Sequence, residues 1–417
     1  MENDMPDSPD SRATVVLVGT LDTKGAEYRW MAEALASHGV AVTVVDTGIH
    51  EPHGFGREAD HSRAEVAEAA GAIVQELRDG GDRGVANAAM GEGAAAVIAS
   101  LLADGGVDGV LALGGSGGSA IAARAVRDLP VGLPKLIVST MASGDVSPYV
   151  GASDVTMMYS VVDIAGINQI SRAVLGNAAA AIAAMAGAYR VREPAADDRP
   201  LIGASMFGVT TPAVDAARER LDELGYEVLV FHATGSGGRA LEALARSGML
   251  AGVLDLTTTE LADELVGGVL SAGPDRLTGA AASGVPQVVS LGALDMVNFG
   301  PEATVPSAFA DRQFFVHNAT VTLMRTTARE NAELGRIVGG KLAGAANTVL
   351  IVPRGGVSAL DAEGMPFRDE AADAALFDAV LESATGVAVI ESDANINDLQ
   401  LARRAADELH RLIGEAS

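Results

Sequence analysis

One pattern recurs from end to end of the chain: a short apolar run of strand character, a polar or glycine-rich turn, then a helical pattern. Successive βα units of this kind pack as a parallel sheet covered by helices, so the expected class is α/β. In the first half the runs at 14–18, 41–45, 109–113 and 136–139 predict strands, with a further one at 155–159. In the second half they fall at 201–205, 227–232, 252–256, 287–290, 314–316, 348–352 and 387–390. A chain of 417 residues exceeds what one core usually supports, about 250–300 residues, so two domains are expected. The charged segment 192–200, with Pro194 and Pro200, reads as a linker between lobes at 14–191 and 201–417. Residues 1–13, acidic and proline-containing with no long apolar run, read as a disordered tail and not as a signal peptide. Each lobe opens with a strand, a polar loop, an amphipathic helix, a glycine (Gly39, Gly225) and a second strand followed by Thr47-Gly48 or Thr234-Gly235. This hints at two similar lobes; the alternative is that any two βαβ units open alike.

Charge restricts the partners. The formal net charge is -26, from 55 acidic against 29 basic side chains, and it repels nucleic acid and anionic membrane at long range. An anionic ligand must therefore be held by local donors: backbone N–H groups, helix N-termini and a few placed cations. Cysteine is absent, which excludes disulfides and thiolate chemistry and agrees with a cytoplasmic location. The alanine-rich stretch 173–189 falls short of the roughly 20 apolar residues of a membrane span and reads as a buried helix. Its flat apolar face predicts a homodimer.

Three strand-to-helix loops of the first lobe carry the chemistry. The strand at 109–113 runs into Gly114-Gly115-Ser116-Gly117-Gly118, whose glycines let a ligand approach the backbone and whose following helix offers free N–H groups to a phosphate. Gly115, Gly117 and Ala120 also satisfy the dinucleotide pattern, but the acidic residue expected about 20 positions later for a ribose is missing. Gly114-Gly115-Ser116-Gly117-Gly118 fits a nucleophile elbow as well, with His232 or His317 as a conceivable base, and a tight turn without a ligand is a further alternative. The first loop holds Thr20, Asp22, Thr23 and Lys24, and lysine occurs only three times in the chain. Lys24 is expected to offer a charge to phosphate, with Asp22 orienting it or a hydrated Mg²⁺; the alternative is a helix cap with a solvated lysine. Thr140, Ser143 and Asp145 follow the fourth strand, and all three loops lie at carboxyl ends of strands, where open α/β sheets bind ligands.

The second lobe repeats the glycine theme in Gly235-Ser236-Gly237-Gly238. His232, Glu260, Asp295 and His317 are the candidate acid-base residues there, although a lone histidine at a strand end is more often scaffold. No zinc-type spacing occurs.

The sequence resembles the Tm-1-like ATP-binding domain family over nearly its full length. The likeness rests on Gly19-Thr-Leu-Asp-Thr-Lys-Gly25, Leu113-Gly-Gly-Ser-Gly-Gly118, Val138-Ser-Thr-Met-Ala-Ser-Gly-Asp145, Tyr159-Ser-Val-Val-Asp-Ile-Ala-Gly166, Met206-Phe-Gly-Val-Thr-Thr-Pro212, Asp255-Leu-Thr-Thr-Thr-Glu260 and Asp295-Met-Val-Asn-Phe-Gly300. Similar proteins usually carry a histidine before Ile-Asn-Asp near the end, where this chain has Asn395. The resemblance implies ATP binding, two Rossmann-like lobes and dimerisation, and a plant member of the family binds a viral replication protein; it supplies no reaction. The first expectation is an ATP-binding protein whose phosphates lie in the N-terminal lobe. The alternatives are an enzyme acting on a small polar metabolite between the lobes, through His232, Glu260, Asp295 and His317, and a protein-interaction module.

Overall fold

A computed structural model describes residues 12–192 and 198–416. Most of the predicted tail and most of the predicted linker lie outside these residues. The chain divides into two compact units between residues 195 and 196.

Unit 1 runs β1 (Thr14–Gly19), α1 (Leu21–Ser37), β2 (Ala41–Asp46), α2 (Arg63–Ala69), α3 (Val74–Asp79), α4 (Arg83–Ala103), β3 (Gly109–Gly114), α5 (Ser116–Val126), β4 (Lys135–Ser139), α6 (Ser147–Val150), β5 (Thr156–Tyr159) and α7 (Gln169–Arg190). Its five strands are all parallel, in the order β2-β1-β3-β4-β5. Strand alternation splits the apolar side chains between two cores. Val15, Leu17, Leu111 and Leu113 face α1 and α7, whereas Val16, Val18, Val110 and Ala112 face α4 and α5. The Tyr28 hydroxyl joins two strands inside the first core: it lies 2.7 Å from the carbonyls of both Val18 and Leu113, with one proton to give between them, and accepts the Leu113 N–H at 3.0 Å.

The 173–189 stretch lies within α7. Its small apolar residues, among them Ala178, Ala179, Ile182 and Ala186, are buried in unit 1's own core. That face is consumed inside the unit, so the ground for a dimer through this helix falls away. By length and composition α4 and α7 could each cross a membrane, but both contribute buried residues to these cores.

Unit 2 runs β6 (Leu201–Met206), α8 (Thr211–Glu223), β7 (Glu227–His232), α9 (Ser236–Arg246), β8 (Gly252–Thr257), α10 (Glu260–Val266), α11 (Gly279–Ser283), β9 (Gln287–Gly292), β10 (Met296–Phe299), β11 (Phe314–Asn318), β12 (Val321–Arg325), α12 (Ala328–Leu342), β13 (Thr348–Pro353), α13 (Glu370–Ser383), β14 (Ala388–Ser392) and α14 (Leu399–Ala416). Six parallel strands form the sheet β14-β13-β9-β8-β6-β7. Counted within the unit and read from β7, this is the order 2-1-3-4-5-6, the same winding as unit 1 with one strand added. Both sheets follow the doubly wound Rossmann-like plan. Between β9 and β13 the chain inserts an antiparallel sheet, β10-β12-β11. The predicted strand at 314–316 belongs to this insert and not to the parallel sheet, and β10 and β12 were not expected.

Candidate functional site

In a sheet of order 2-1-3-4-5 the connections leave in opposite directions from β1 and β3, and a crevice opens at their carboxyl ends. Unit 1 has a cavity of about 540 Å³ there. Thr20, Asp22, Thr23 and Lys24 line it from the β1 loop and Gly115, Ser116, Gly117 and Gly118 from the β3 loop. Two predicted loops thus meet around one space.

The start of α5 is open. Gly115 occupies the N-cap position in extended backbone and has no side chain with which to cap the amides of the first turn. The opposite wall is the start of α4. A Cβ placed on Gly117 would lie 3.2 Å from Asn87 Nδ2 and 3.4 Å from Arg83 Nη2. Neither side chain has a hydrogen-bond or ion-pair partner among the described residues. Uncapped amides, a guanidinium and a carboxamide donor therefore converge over one glycine, an arrangement suited to an anion.

The start of α1 has the opposite polarity. Asp46, buried at the end of β2, accepts the N–H groups of Leu21 at 3.2 Å and Gly48 at 2.9 Å. Burial pushes its pKa up, partly offset by those two N–H donors, and the neighbouring Asp22 carboxylate adds to the rise. Asp22 accepts with Oδ2 from Ile49 N at 3.1 Å and His50 N at 3.0 Å. It does not orient Lys24. At a kink in α1 (φ -133, ψ 24), Lys24 instead directs its Nζ to the carbonyl of Ile164. The same holds for the other two lysines: Lys135 donates to Pro130 and Leu133 carbonyls and pairs with Asp154, and Lys341 donates to the Pro274 carbonyl. All three lysines thus donate to backbone carbonyls. Thr20 and Thr23 bond to each other through their hydroxyls at 2.7 Å.

The third loop contributes less. Thr140 reaches the edge of the site, its Oγ1 3.7 Å from where a Gly115 Cβ would stand. Ser143 and Asp145 are not among the lining residues; Asp145 accepts the Ser147 N–H at 2.9 Å, which closes a local turn, and the Ser147 side chain together with that N–H lowers its pKa. Ser116 is exposed at the first position of α5 and has no hydrogen-bonded base, so the elbow reading gains no partner.

Unit 2 has the corresponding loop and fills it from within. Glu260 Oε1 accepts the N–H of Gly235 at 2.6 Å and of Gly238 at 3.0 Å, while Oε2 accepts from Arg276 Nε at 2.6 Å. Arg276 is fully buried and also meets Asp255 and Glu242. Beside it, the hydroxyls of Thr210 and Thr257 bond at 2.7 Å across the β6 and β8 ends. Asp295 belongs to a different network: its Oδ2 accepts from Ser358 Oγ at 2.7 Å, and Arg325, Asp361 and Asp373 surround it. His232 and His317 are exposed, the first against the Phe207 ring and the second at the bulge of β11. No hydrogen bond links any two of the four residues expected to act as acid-base machinery, and Glu260 and Asp295 are both fully buried. The structure does not bring them together.

Sequence reasoning missed the α4 side of the unit 1 cavity, Arg83 and Asn87, and the Thr47 and His50 contributions. The Gly80-Gly81-Asp82 turn before α4 was the available signal, since Asp82 caps this helix through Gly84 and Val85 N–H groups. Nothing local tied that turn to a glycine loop more than thirty residues away.

Residues 13–191 match the N-terminal domain, and residues 199–413 the C-terminal domain, of the uncharacterised protein family UPF0261. A UPF0261 protein of Clostridium tetani is 49% identical over 399 residues, covering 95% of this chain and 98% of its own. The ToMV resistance protein Tm-1(GCR237) of Solanum lycopersicum is 39% identical over 429 residues, covering 94% of this chain; this chain spans 55% of the tomato protein. Among solved structures, a putative UDP-N-acetylglucosamine 2-epimerase from Listeria monocytogenes matches 67% of this chain and 79% of its own at 12% identity and a TM-score of 0.22. Two family domains that meet the two units, and relatives that span them both, place the chain in UPF0261, the family to which it belongs.

Proposed function

We propose that this protein binds ATP in unit 1, with the phosphates over the start of α5 and the Arg83 and Asn87 side chains closing on them. The observation that carries the reading is the contrast between the two glycine loops. In unit 2 the loop amides already hold a carboxylate, Glu260, whereas in unit 1 the equivalent helix start is uncapped and faces a cavity beside the Arg83 guanidinium, which has no partner among the described residues. The cavity volume of about 540 Å³ falls in the usual range for small-molecule sites, roughly 300–1,000 Å³. Local donors offset the global charge of -26, as an anionic ligand requires. The Tm-1-like resemblance favours ATP over other phosphorylated ligands.

Isothermal titration of the full chain with ATP and Mg²⁺ tests this. Binding is expected in the wild type and a loss of about tenfold or more in Arg83→Ala, the scale of one charge-assisted contact. Wild-type protein that takes up no ATP would remove the proposal.

A further inference from the structure

We infer that the acidic end of the unit 1 cavity recognises the ribose diol, through Asp22 Oδ1 and Thr47 Oγ1, so that the site selects ribonucleotides over their deoxy analogues. This rests on the nucleotide reading above and assigns the ligand's direction within the site.

Two oxygens on this wall lack a hydrogen-bond partner among the described residues. Asp22 Oδ1 and Thr47 Oγ1 are both buried without a hydrogen bond, and both residues line the cavity. Thr47 is only 2% exposed. Buried polar atoms are nearly always paired, and an unpaired carboxylate oxygen is the costlier case. The other half of the carboxylate is fixed by the Ile49 and His50 N–H groups, which sets where Oδ1 stands. Gly48 makes room for it: a Cβ there would fall 2.7 Å from Asp22 Cγ and 2.9 Å from Oδ1.

Polarity decides what can complete such a pair. Asp22 shares this end of the cavity with Arg78, whose guanidinium donates to the Ile49 carbonyl at 2.7 Å, so the unpaired carboxylate oxygen and not the net charge sets what binds here, while Arg83 and the uncapped α5 amides offer donors to phosphate. The group at the acidic end must donate. A carboxylate oxygen accepts a ligand O–H, and a threonine hydroxyl donates to or accepts from a second oxygen beside it. Adjacent hydroxyls on one ring satisfy both atoms, and the ribose of ATP carries them on the side of the molecule away from the terminal phosphate.

Titration of the full chain with ATP, 2′-deoxy-ATP and 3′-deoxy-ATP reads this out. At least one deoxy analogue is expected to bind about tenfold or more weakly than ATP, as for a lost hydrogen bond to a charged group. Asp22→Asn keeps an oxygen for the Ile49 and His50 amides but replaces the orphan acceptor, and the ATP-to-deoxy ratio should fall towards one. Thr47→Val removes an unpaired hydroxyl at constant shape; its ligand-free melting temperature should hold or rise while the ratio shrinks. Equal affinity for all three nucleotides in the wild type would overturn this inference and leave ATP binding standing. A preference that disappears when Mg²⁺ is replaced by EDTA would assign the oxygens to a cation and overturn it as well. Wild-type protein that binds none of the three would overturn the nucleotide reading and this inference with it.

Discussion

The carboxylate of Glu260 accepts the Gly238 N–H at 3.0 Å, and a Cβ on that glycine would fall 2.0 Å from Glu260 Oε2. An internal side chain thereby occupies the place that a phosphate would take over a glycine-rich helix start. Its charge is balanced by Arg276, which holds three carboxylates without contact with solvent.

Glu260→Ala should destabilise unit 2 by about 3–5 kcal/mol, because it breaks a buried ion pair and strips the loop amides of their acceptor. The single tryptophan, Trp30, lies in unit 1, so its fluorescence reports that unit alone. In urea the far-UV circular dichroism midpoint should fall while the Trp30 transition stays in place. A shift of the fluorescence transition by the same amount would contradict a local role.

A second buried network should make stability depend on pH. Burial raises the pKa of Asp295 to about 6 and of Asp361 to about 8, and raises Asp373, against the opposing pull of Arg325. Burial likewise takes Asp263 to about 7. Each is an acid whose folded pKa lies above its unfolded value, so its contribution is complete below about pH 4 and is lost as pH rises through the folded value, here between about 6 and 8. The slope is at most about 1.4 kcal/mol per pH unit for each proton. Asp361→Asn keeps an oxygen for the Val357 N–H, bonded at 2.8 Å, and supplies the neutral form permanently. Denaturation midpoints measured from pH 5 to 8.5 should fall less steeply in this variant; an unchanged slope would contradict it.

Tyr28→Phe tests how unit 1 is tied together. Loss of the hydroxyl leaves the Leu113 N–H without that oxygen and unlinks the Val18 and Leu113 carbonyls, at a cost of about 1–3 kcal/mol. This time the Trp30 fluorescence transition should move.

Gly117→Ala separates fold from ligand. The position is in the first turn of α5, where alanine costs the helix nothing and reduces unfolded-chain freedom, so the melting temperature should hold or rise slightly. The added methyl stands 3.2 Å from Asn87 Nδ2, in the space assigned to phosphate, and ATP affinity should fall about tenfold. Full ATP affinity in a correctly folded variant would move the phosphates elsewhere.

Local pattern was enough for the parallel strands and their helices, because apolar periodicity and glycine turns act over a few residues. Val15 and Val16 face opposite cores simply as neighbours on one strand, and the Gly115 turn follows from its own glycines. The antiparallel insert escaped, since β10 carries the polar Asn298 beside Asp295 and reads as a loop until β12 pairs with it. Which glycine loop is open could not be read locally. That depends on Glu260 returning 22 residues to Gly238, and on α4 bringing Arg83 and Asn87 over Gly117. The direction of Lys24 is set by Ile164, 140 residues away. Sequence alone determined the two-lobed α/β plan and the positions of the loops; tertiary structure decided which donors and acceptors remain unpaired, because hydrogen-bond partners are chosen by proximity in space.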